Sequence, residues 1–284
     1  MIFGILGGDF RYKFLFEMLT EEKHTVYVYK NKYIEENNVD DLDTFLKKVD
    51  ILIASIPFSK DKTTVFNLND EILNVDKLFD SMIKYKIKMF FAGVIDGEKI
   101  EYLKQNKIDV LDFFGDDNIA ILNAIPTAEG AIQTAMEESY RTLFDSRCLV
   151  LGYGRCGKIL ASMLKGIGAN VSVSYRKETD LAYIKSYGLK PLNLYNMEDY
   201  IFSYDFIFNT IPSQILDRSI LEKVNKKTII IDLAQAPGGV DYKYARDLDL
   251  KAIYCPGLPG RVAPYTAAEI LKDKIIECID KVDM

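Results

Sequence analysis

The chain has 284 residues, enough to bury a sizeable core and, at ordinary domain sizes, to form two domains. Its 49% hydrophobic and 27% charged residues match a soluble globular protein, and no apolar run is long enough to span a bilayer. A net charge of −6 argues against a nucleic-acid or anionic-membrane partner, and Cys148, Cys156, Cys255 and Cys278 fit neither a disulfide framework nor a metal site, so a reducing cytoplasm is the expected compartment.

The opening MIFGILGGDF lacks the basic start of a signal peptide and reads as a strand over residues 1–6. Gly7-Gly8-Asp9-Phe10-Arg11 then lies at the carboxyl end of that strand, where open α/β sheets bind ligands. Phe14, Leu15, Met18 and Leu19 mark an amphipathic helix. Arg11 near a helix start opposes the helix dipole, which fits a grip on an anionic substrate as well as a plain exposed arginine. Asp9 is a base candidate, or it orients Arg11. The single histidine, His24, falls at a helix-to-strand turn, a structural position, so proton chemistry needs another group. Further strands are expected at Val26–Tyr29, Asp50–Ala54, Lys88–Ala92 and Asp109–Leu111, with 35–48 a solvated loop and helix. Ser55, closing the strand at Asp50–Ala54, joins the candidate substrate contacts. The alternation implies a parallel sheet and a flavodoxin- or Rossmann-like substrate domain over residues 1–117.

Residues 118–145 read as an interdomain connection. Asn123 to Gly130 (NAIPTAEG) reads as a break, after which Ala131–Phe144 forms a helix with Thr127 as its N-cap. Such a helix start would face the region between the domains and receive a carboxylate. Glu129 beside it is either a base or an acid that merely favours the dipole.

The densest signal is Arg147 to Lys177. A short apolar run leads into Gly152, Gly154 and Gly157, spaced G-x-G-x-x-G, then an apolar-periodic helix and a second strand. In this pattern the first glycine allows the sharp turn, the second lets backbone approach a pyrophosphate, and the third lets helix and sheet pack closely. With Arg155 and Cys156 they form the candidate dinucleotide loop. At the second strand end Ser174 and Tyr175 stand where an NAD site usually has an acid, and Arg176 and Lys177 follow. Two cations suit a 2′-phosphate, so NADP is expected over NAD.

Later strands at Gly188–Leu194, Asp205–Phe208, Thr228–Ile231 and Lys251–Tyr254 complete a dinucleotide-binding domain over residues 146–265. Asn209-Thr210-Ile211-Pro212 and Asp232-Leu233-Ala234 should lie on the glycine-loop edge, toward the nicotinamide. Cys255 to Tyr265 reads as a stiff Pro/Gly loop offering Arg261 and Tyr265 to a carboxylate. Thr266-Ala267-Ala268-Glu269 reads as a capping box opening a helix from Ile270 to about Lys281, and 266–284 should pack back on the first domain. The expected fold class is thus α/β, two Rossmann-like domains with mainly parallel sheets, joined by interdomain helices, with a cleft between them.

Five stretches together (GGDFR, NAIPTAEGAIQ, LGYGRCGKILA, DLAQAPGGVD and PGLPGRVAPYTAAEI) resemble the A-type subunit family of the dipicolinate synthases of spore-forming bacteria. The resemblance covers essentially the whole chain. It implies an NADP-dependent oxidoreductase that, with a flavoprotein-like B-type subunit, converts dihydrodipicolinate or 4-hydroxytetrahydrodipicolinate from the lysine pathway to dipicolinate in the mother cell during sporulation. A small dicarboxylate substrate asks for two carboxylate grips, for which Arg11, Arg261 and the helix start at Thr127 are candidates, and a base, for which Glu129 or Asp9 is a candidate. Two other readings stay open: a dehydrogenase of another small carboxylate, and a non-catalytic NADP-binding subunit. A homodimer is the base-rate expectation.

Overall fold

Apolar runs alternate with amphipathic helices throughout the computed structural model, which describes residues 1–69 and 71–282. The chain divides into two compact units, Met1–Leu122 together with the segment from Ala263 onward, and Asn123–Val262.

In the first unit, β1 (Ile2–Leu6), α1 (Arg11–Glu21), β2 (Thr25–Tyr29), α2 (Leu42–Leu46), β3 (Ile51–Ala54), α3 (Val75–Lys84), β4 (Met89–Ala92), α4 (Gly97–Gln105) and β5 (Asp109–Asp112) follow in order. The strands form one parallel sheet, ordered β2-β1-β3-β4-β5. β3 and β4 are buried at every position, as strands covered on both faces must be. Leu6 pairs with both Tyr29 and Ala54, so Gly7 and Ser55 leave the sheet at one edge. The stretch 35–48, expected to be solvated, instead contributes Phe45 and Leu46 of α2 to the core.

A single long helix, α5 (Asp117–Glu137), replaces the expected break and second helix, with Pro126 inside it. The boundary between the units falls within it. Proline predicts a break here, yet Ala124, Ala128, Ala131 and Ala135 are all buried at helical spacing. Tertiary packing of that stripe outweighs the hydrogen bond lost at Pro126.

The second unit runs β6 (Arg147–Leu151), α6 (Arg155–Gly166), β7 (Asn170–Tyr175), α7 (Glu178–Ser186), β8 (Lys190–Asn193), two short 3₁₀ turns, β9 (Phe206–Asn209), α8 (Arg218–Leu221), β10 (Ile229–Asp232), α9 (Tyr242–Asp247), β11 (Lys251–Tyr254) and α10 (Leu258–Val262). Its six parallel strands are ordered β11-β10-β9-β6-β7-β8, the doubly wound arrangement that binds dinucleotides where the strand order reverses.

The stretch expected as a stiff loop therefore holds α10. Leu258 and Val262 of this helix lie where a side chain at Gly130 of α5 would go, so the glycine permits the close approach. The last helix, α11 (Pro264–Val282), starts before the expected capping box. Pro264 occupies its first position, where a missing N–H costs nothing, and Thr266 lies within the helix. Ala268, Leu271, Ile275 and Ile279 of α11 join Tyr12, Leu15 and Leu19 of α1 in one apolar cluster of the first unit. Residues 283 and 284 of the expected terminal segment lie outside the described residues.

Candidate functional site

The glycine loop shows a distinct physical reason for each of its three glycines. Gly152 has φ +98°, and a Cβ there would lie 2.6 Å from Thr210 Oγ1. A Cβ on Gly157 would collide with the carbonyl oxygen of Gly152. Gly154 differs, because its backbone is extended and a Cβ would meet nothing within 4 Å. The space is open where a pyrophosphate would approach. Gly154 is also the N-cap of α6 and makes no side-chain cap hydrogen bond to the first turn, which carries Arg155 and Cys156. The residues therefore fit a dinucleotide. Burial pushes the Cys156 thiol up to about 11, so the thiol stays protonated near neutral pH.

Neighbouring strand ends brace this loop. Ser174 is buried and its Oγ accepts the Gly152 N–H at 2.8 Å, so its side chain pins the turn. Thr210 Oγ1 donates to the Leu151 carbonyl at 2.8 Å. Leu151 lies opposite Asn209, and Asn209 opposite Asp232, which aligns both polar ends with the glycine loop. The Asp232 carboxylate is fully buried and accepts from Asn209 Nδ2 (2.8 Å), Ala234 N–H (3.1 Å), Gly239 N–H (2.7 Å) and the Tyr242 hydroxyl (2.6 Å). Asp232 thus builds the loop that begins with Leu233 and Ala234, and its oxygens are already occupied. Burial and the bond to Asp232 raise the Tyr242 hydroxyl well above the ordinary tyrosine range. Ile211 N–H donates to Asn209 Oδ1, so the turn leading to Pro212 is held the same way. At the end of β7, Tyr175 is half-buried, while Arg176 and Lys177 are exposed just before α7.

In the first unit the Gly7-to-Arg11 turn has a different character. Arg11 is only 4% exposed, and its Nε and Nη2 donate to the two oxygens of Asp9 at 2.8 and 2.9 Å. Burial disfavours the guanidinium charge, but Asp9 more than offsets that, and Arg11 holds its proton more tightly than a free arginine. The pairing engages Arg11 internally. Ser55 is fully buried, and its Oγ lies 2.9 and 2.7 Å from the Pro57 and Phe66 carbonyls, so it shapes the loop after β3 and does not present a hydroxyl to a ligand. His24 meets Phe3 edge-on at 5.1 Å, just before β2 and thus at the amino end of the sheet.

The residues expected in the interdomain connection also differ from expectation. Thr127 lies mid-helix and its hydroxyl donates back to the Asn123 carbonyl at 2.7 Å, so no helix start exists there to receive a carboxylate. Asn123 Oδ1 is the buried side-chain polar atom without a hydrogen-bond partner among the described residues. Glu129 is exposed in an apolar groove with Ile132, Met136, Met163 and Ile167, toward the C-terminal end of α6 and away from the glycine loop. Arg261 is exposed on α10, and Tyr265, 56% exposed on α11, meets Phe14 edge-on at 5.6 Å.

A model of the N-terminal domain of the dipicolinate synthase A-type subunit matches residues 2–114, and a model of the NAD-binding domain of D-isomer-specific 2-hydroxyacid dehydrogenases matches residues 123–243. The chain is 32% identical to the A-type subunit of dipicolinate synthase from Bacillus subtilis (strain 168), over 98% of its length and 95% of the relative's. The chain belongs to the family of dipicolinate synthase A-type subunits. The crystal structure of the family member from Bacillus halodurans superposes with TM-score 0.86 at 27% identity, covering 98% of this chain and 97% of that one. The crystal structure of the Bacillus subtilis member superposes with TM-score 0.85 at 30% identity, covering 100% and 97%. The family and its dehydrogenase-type domain make this chain a nicotinamide-dinucleotide-dependent oxidoreductase by type. No helix among the described residues is long and apolar enough to cross a membrane, and no group of three or more His, Cys, Asp or Glu among them could hold a metal ion.

Several organising residues have no local signal in the sequence. Asn31 is buried and its Nδ2 donates to the Gly7 carbonyl at 2.7 Å, tying the end of β2 to that of β1. The Asp112 carboxylate accepts the N–H groups of Val94, Ile95 and Phe114. Tyr242 reaches Asp232 from α9. A polar residue closing a strand is the only available hint, and Asp112 alone offers it among these three.

Proposed function

We propose that this chain oxidises a dihydrodipicolinate, either supplied as such or formed from 4-hydroxytetrahydrodipicolinate by loss of water, to dipicolinate with NADP in preference to NAD. The observation that carries the reading is the open space at Gly154 above an uncapped helix start, in a chain of this family. A bound nicotinamide supplies the hydride acceptor. The chain's own residues must bind that dinucleotide, hold a small dicarboxylate, and receive a proton as the ring becomes aromatic. Arg176 and Lys177, exposed beside the second strand end, support a 2′-phosphate. Asp9, held in place by Arg11, is the preferred proton acceptor, because the placement of Glu129 in an apolar groove does not support it as the base. Arg261 is a carboxylate contact on α10. By family, the chain works with a dipicolinate synthase B-type subunit in the cytoplasm of a sporulating mother cell.

The test uses purified chain, NADP or NAD, and freshly generated hydroxytetrahydrodipicolinate. Reduced cofactor and dipicolinate should appear together, faster with NADP. If neither appears without the B-type subunit, the chain is a cofactor-binding half, a reading the internally paired Arg11 also suits.

A further inference from the structure

The carboxyl edge of the first unit's sheet carries a cavity of about 390 Å³, within the range of small-molecule sites. Its wall is formed by Gly8 and Asp9 after β1, Lys32 and Tyr33 after β2, and Lys60, residues 64–69 and Glu71 after β3. It therefore lies between β1 and β3, where the strand order reverses.

The wall is built rigidly. Asn31 Nδ2 holds the Gly7 carbonyl, and Gly8 N–H donates to the Asn67 carbonyl at 3.1 Å. Gly7 has φ +62°, and a Cβ there would lie 2.5 Å from the Asn67 carbonyl oxygen, so the strand end and the β3 loop can touch only through glycine.

Among the described residues its charge is unbalanced. Each described carboxylate of the wall already has a cation: Asp9 has Arg11, and Glu71 has Lys30 at 3.4 Å and also accepts the Tyr29 hydroxyl. Lys32 and Lys60 have no carboxylate partner among the described residues. Their ammonium groups rest instead over aromatic rings, Lys32 5.0 Å from the Tyr33 centroid and Lys60 3.7 Å from that of Phe66. Such contacts position an ammonium and leave its hydrogen-bond donors available. A chain of net charge −6 thus keeps, on one cavity wall, two positioned cations that no described carboxylate pairs.

We infer that Lys32 and Lys60 are the carboxylate grips of the first unit, that this cavity takes a small dicarboxylate, and that Arg11 serves to hold Asp9. The assignment rests on the dicarboxylate-oxidising reading for the identity of the ligand, but not for the existence of the site.

The experiment is calorimetric titration of the full chain, saturated with NADPH, with pyridine-2,6-dicarboxylate. Lys32→Ala and Lys60→Ala should each weaken binding about 5- to 10-fold, and the double variant about 50-fold, as loss of charge-assisted hydrogen bonds predicts. NADPH affinity should not change. Lys62→Ala is the control, since Lys62 pairs with Asp96 at 2.8 Å and does not line the cavity. Lys60→Arg should restore part of the loss, and Lys32→Gln with Lys60→Gln repeats the test should the alanine variants fold poorly. Binding within twofold in the double variant, or an equal loss in the Lys62 control, overturns the assignment and leaves the oxidoreductase reading intact. Lysine-dependent binding of another small dicarboxylate, such as malate, with none of the pyridine compound, supports the cavity and overturns dipicolinate as the product. No binding of any dicarboxylate overturns the cavity.

Discussion

The two sheets end in candidate sites built from different materials. Around Gly152 to Gly157 the candidate surface is backbone, and side chains such as Ser174, Thr210 and Asp232 brace it. Around Gly7 to Arg11 the surface is largely side chains, and Asp9, held by the buried Arg11, is itself part of the wall. A backbone site needs glycines at fixed spacing and writes that spacing into the sequence. A side-chain site assembles residues from distant segments, here after β1, β2 and β3, and leaves no spacing to read.

The sharpest test of that contrast lies inside the glycine loop. Gly157→Val should abolish dinucleotide binding and lower the melting temperature, because the new side chain has no room against the Gly152 carbonyl. Gly154→Val should melt normally, since its backbone is extended and the space is empty. It should nevertheless weaken dinucleotide binding by about 30-fold, roughly 2 kcal/mol, because the side chain fills the approach to the helix start. Equal melting temperatures with equal affinities in both variants would show that the open space is not a phosphate site.

In the first unit the expected order reverses, with stability the primary readout. Arg11→Ala leaves Asp9 without its partner. A buried pair broken on one side costs about 3–5 kcal/mol, and about 2 kcal/mol is expected because Asp9 is 28% exposed. Arg11→Lys should recover only part, since an ammonium cannot reproduce the two-point contact. Thermal unfolding decides it, and an unchanged melting temperature would return Arg11 to the set of free substrate contacts.

The same contrast explains what is legible in the sequence. The alternation of strands and helices, the two parallel sheets and the glycine loop all follow from local patterns that their own packing reinforces. Pro126 misleads because a local rule, proline as breaker, is set against the alanine stripe at 124, 128, 131 and 135, and the stripe prevails. With the break goes Thr127 as an N-cap, its hydroxyl being bound to Asn123. Thr266-x-x-Glu269 fails as a capping box for a similar reason, because α11 already begins at Pro264. Lys32 and Lys60 are invisible in the sequence because their significance depends on which carboxylates are already neutralised, and only the fold decides that.

A smaller effect is expected at the second strand end. Arg176→Ala with Lys177→Ala should weaken NADP about tenfold, roughly 1.4 kcal/mol, and leave NAD within twofold, since exposed cations contribute modestly and only the 2′-phosphate differs. Parallel titration of the two dinucleotides measures it, and equal losses for both would place the cations elsewhere than at a 2′-phosphate.

The smallest effect is expected at Glu129. Its carboxylate is exposed beside Ile132, Met136, Met163 and Ile167, at the end of α6 opposite the glycine loop. A base must lie within hydrogen-bond reach of the proton it takes, either directly or through one water. Glu129→Gln keeps the shape and removes only the ability to accept a proton, so turnover should stay within twofold and its pH profile should not move. Asp9→Asn, by contrast, removes both a proton acceptor and the partner of Arg11, and should lower turnover and stability together. If Glu129→Gln instead abolishes turnover while the chain melts normally, the proton leaves through α5. The first unit then supplies only the grip on the substrate and none of the chemistry.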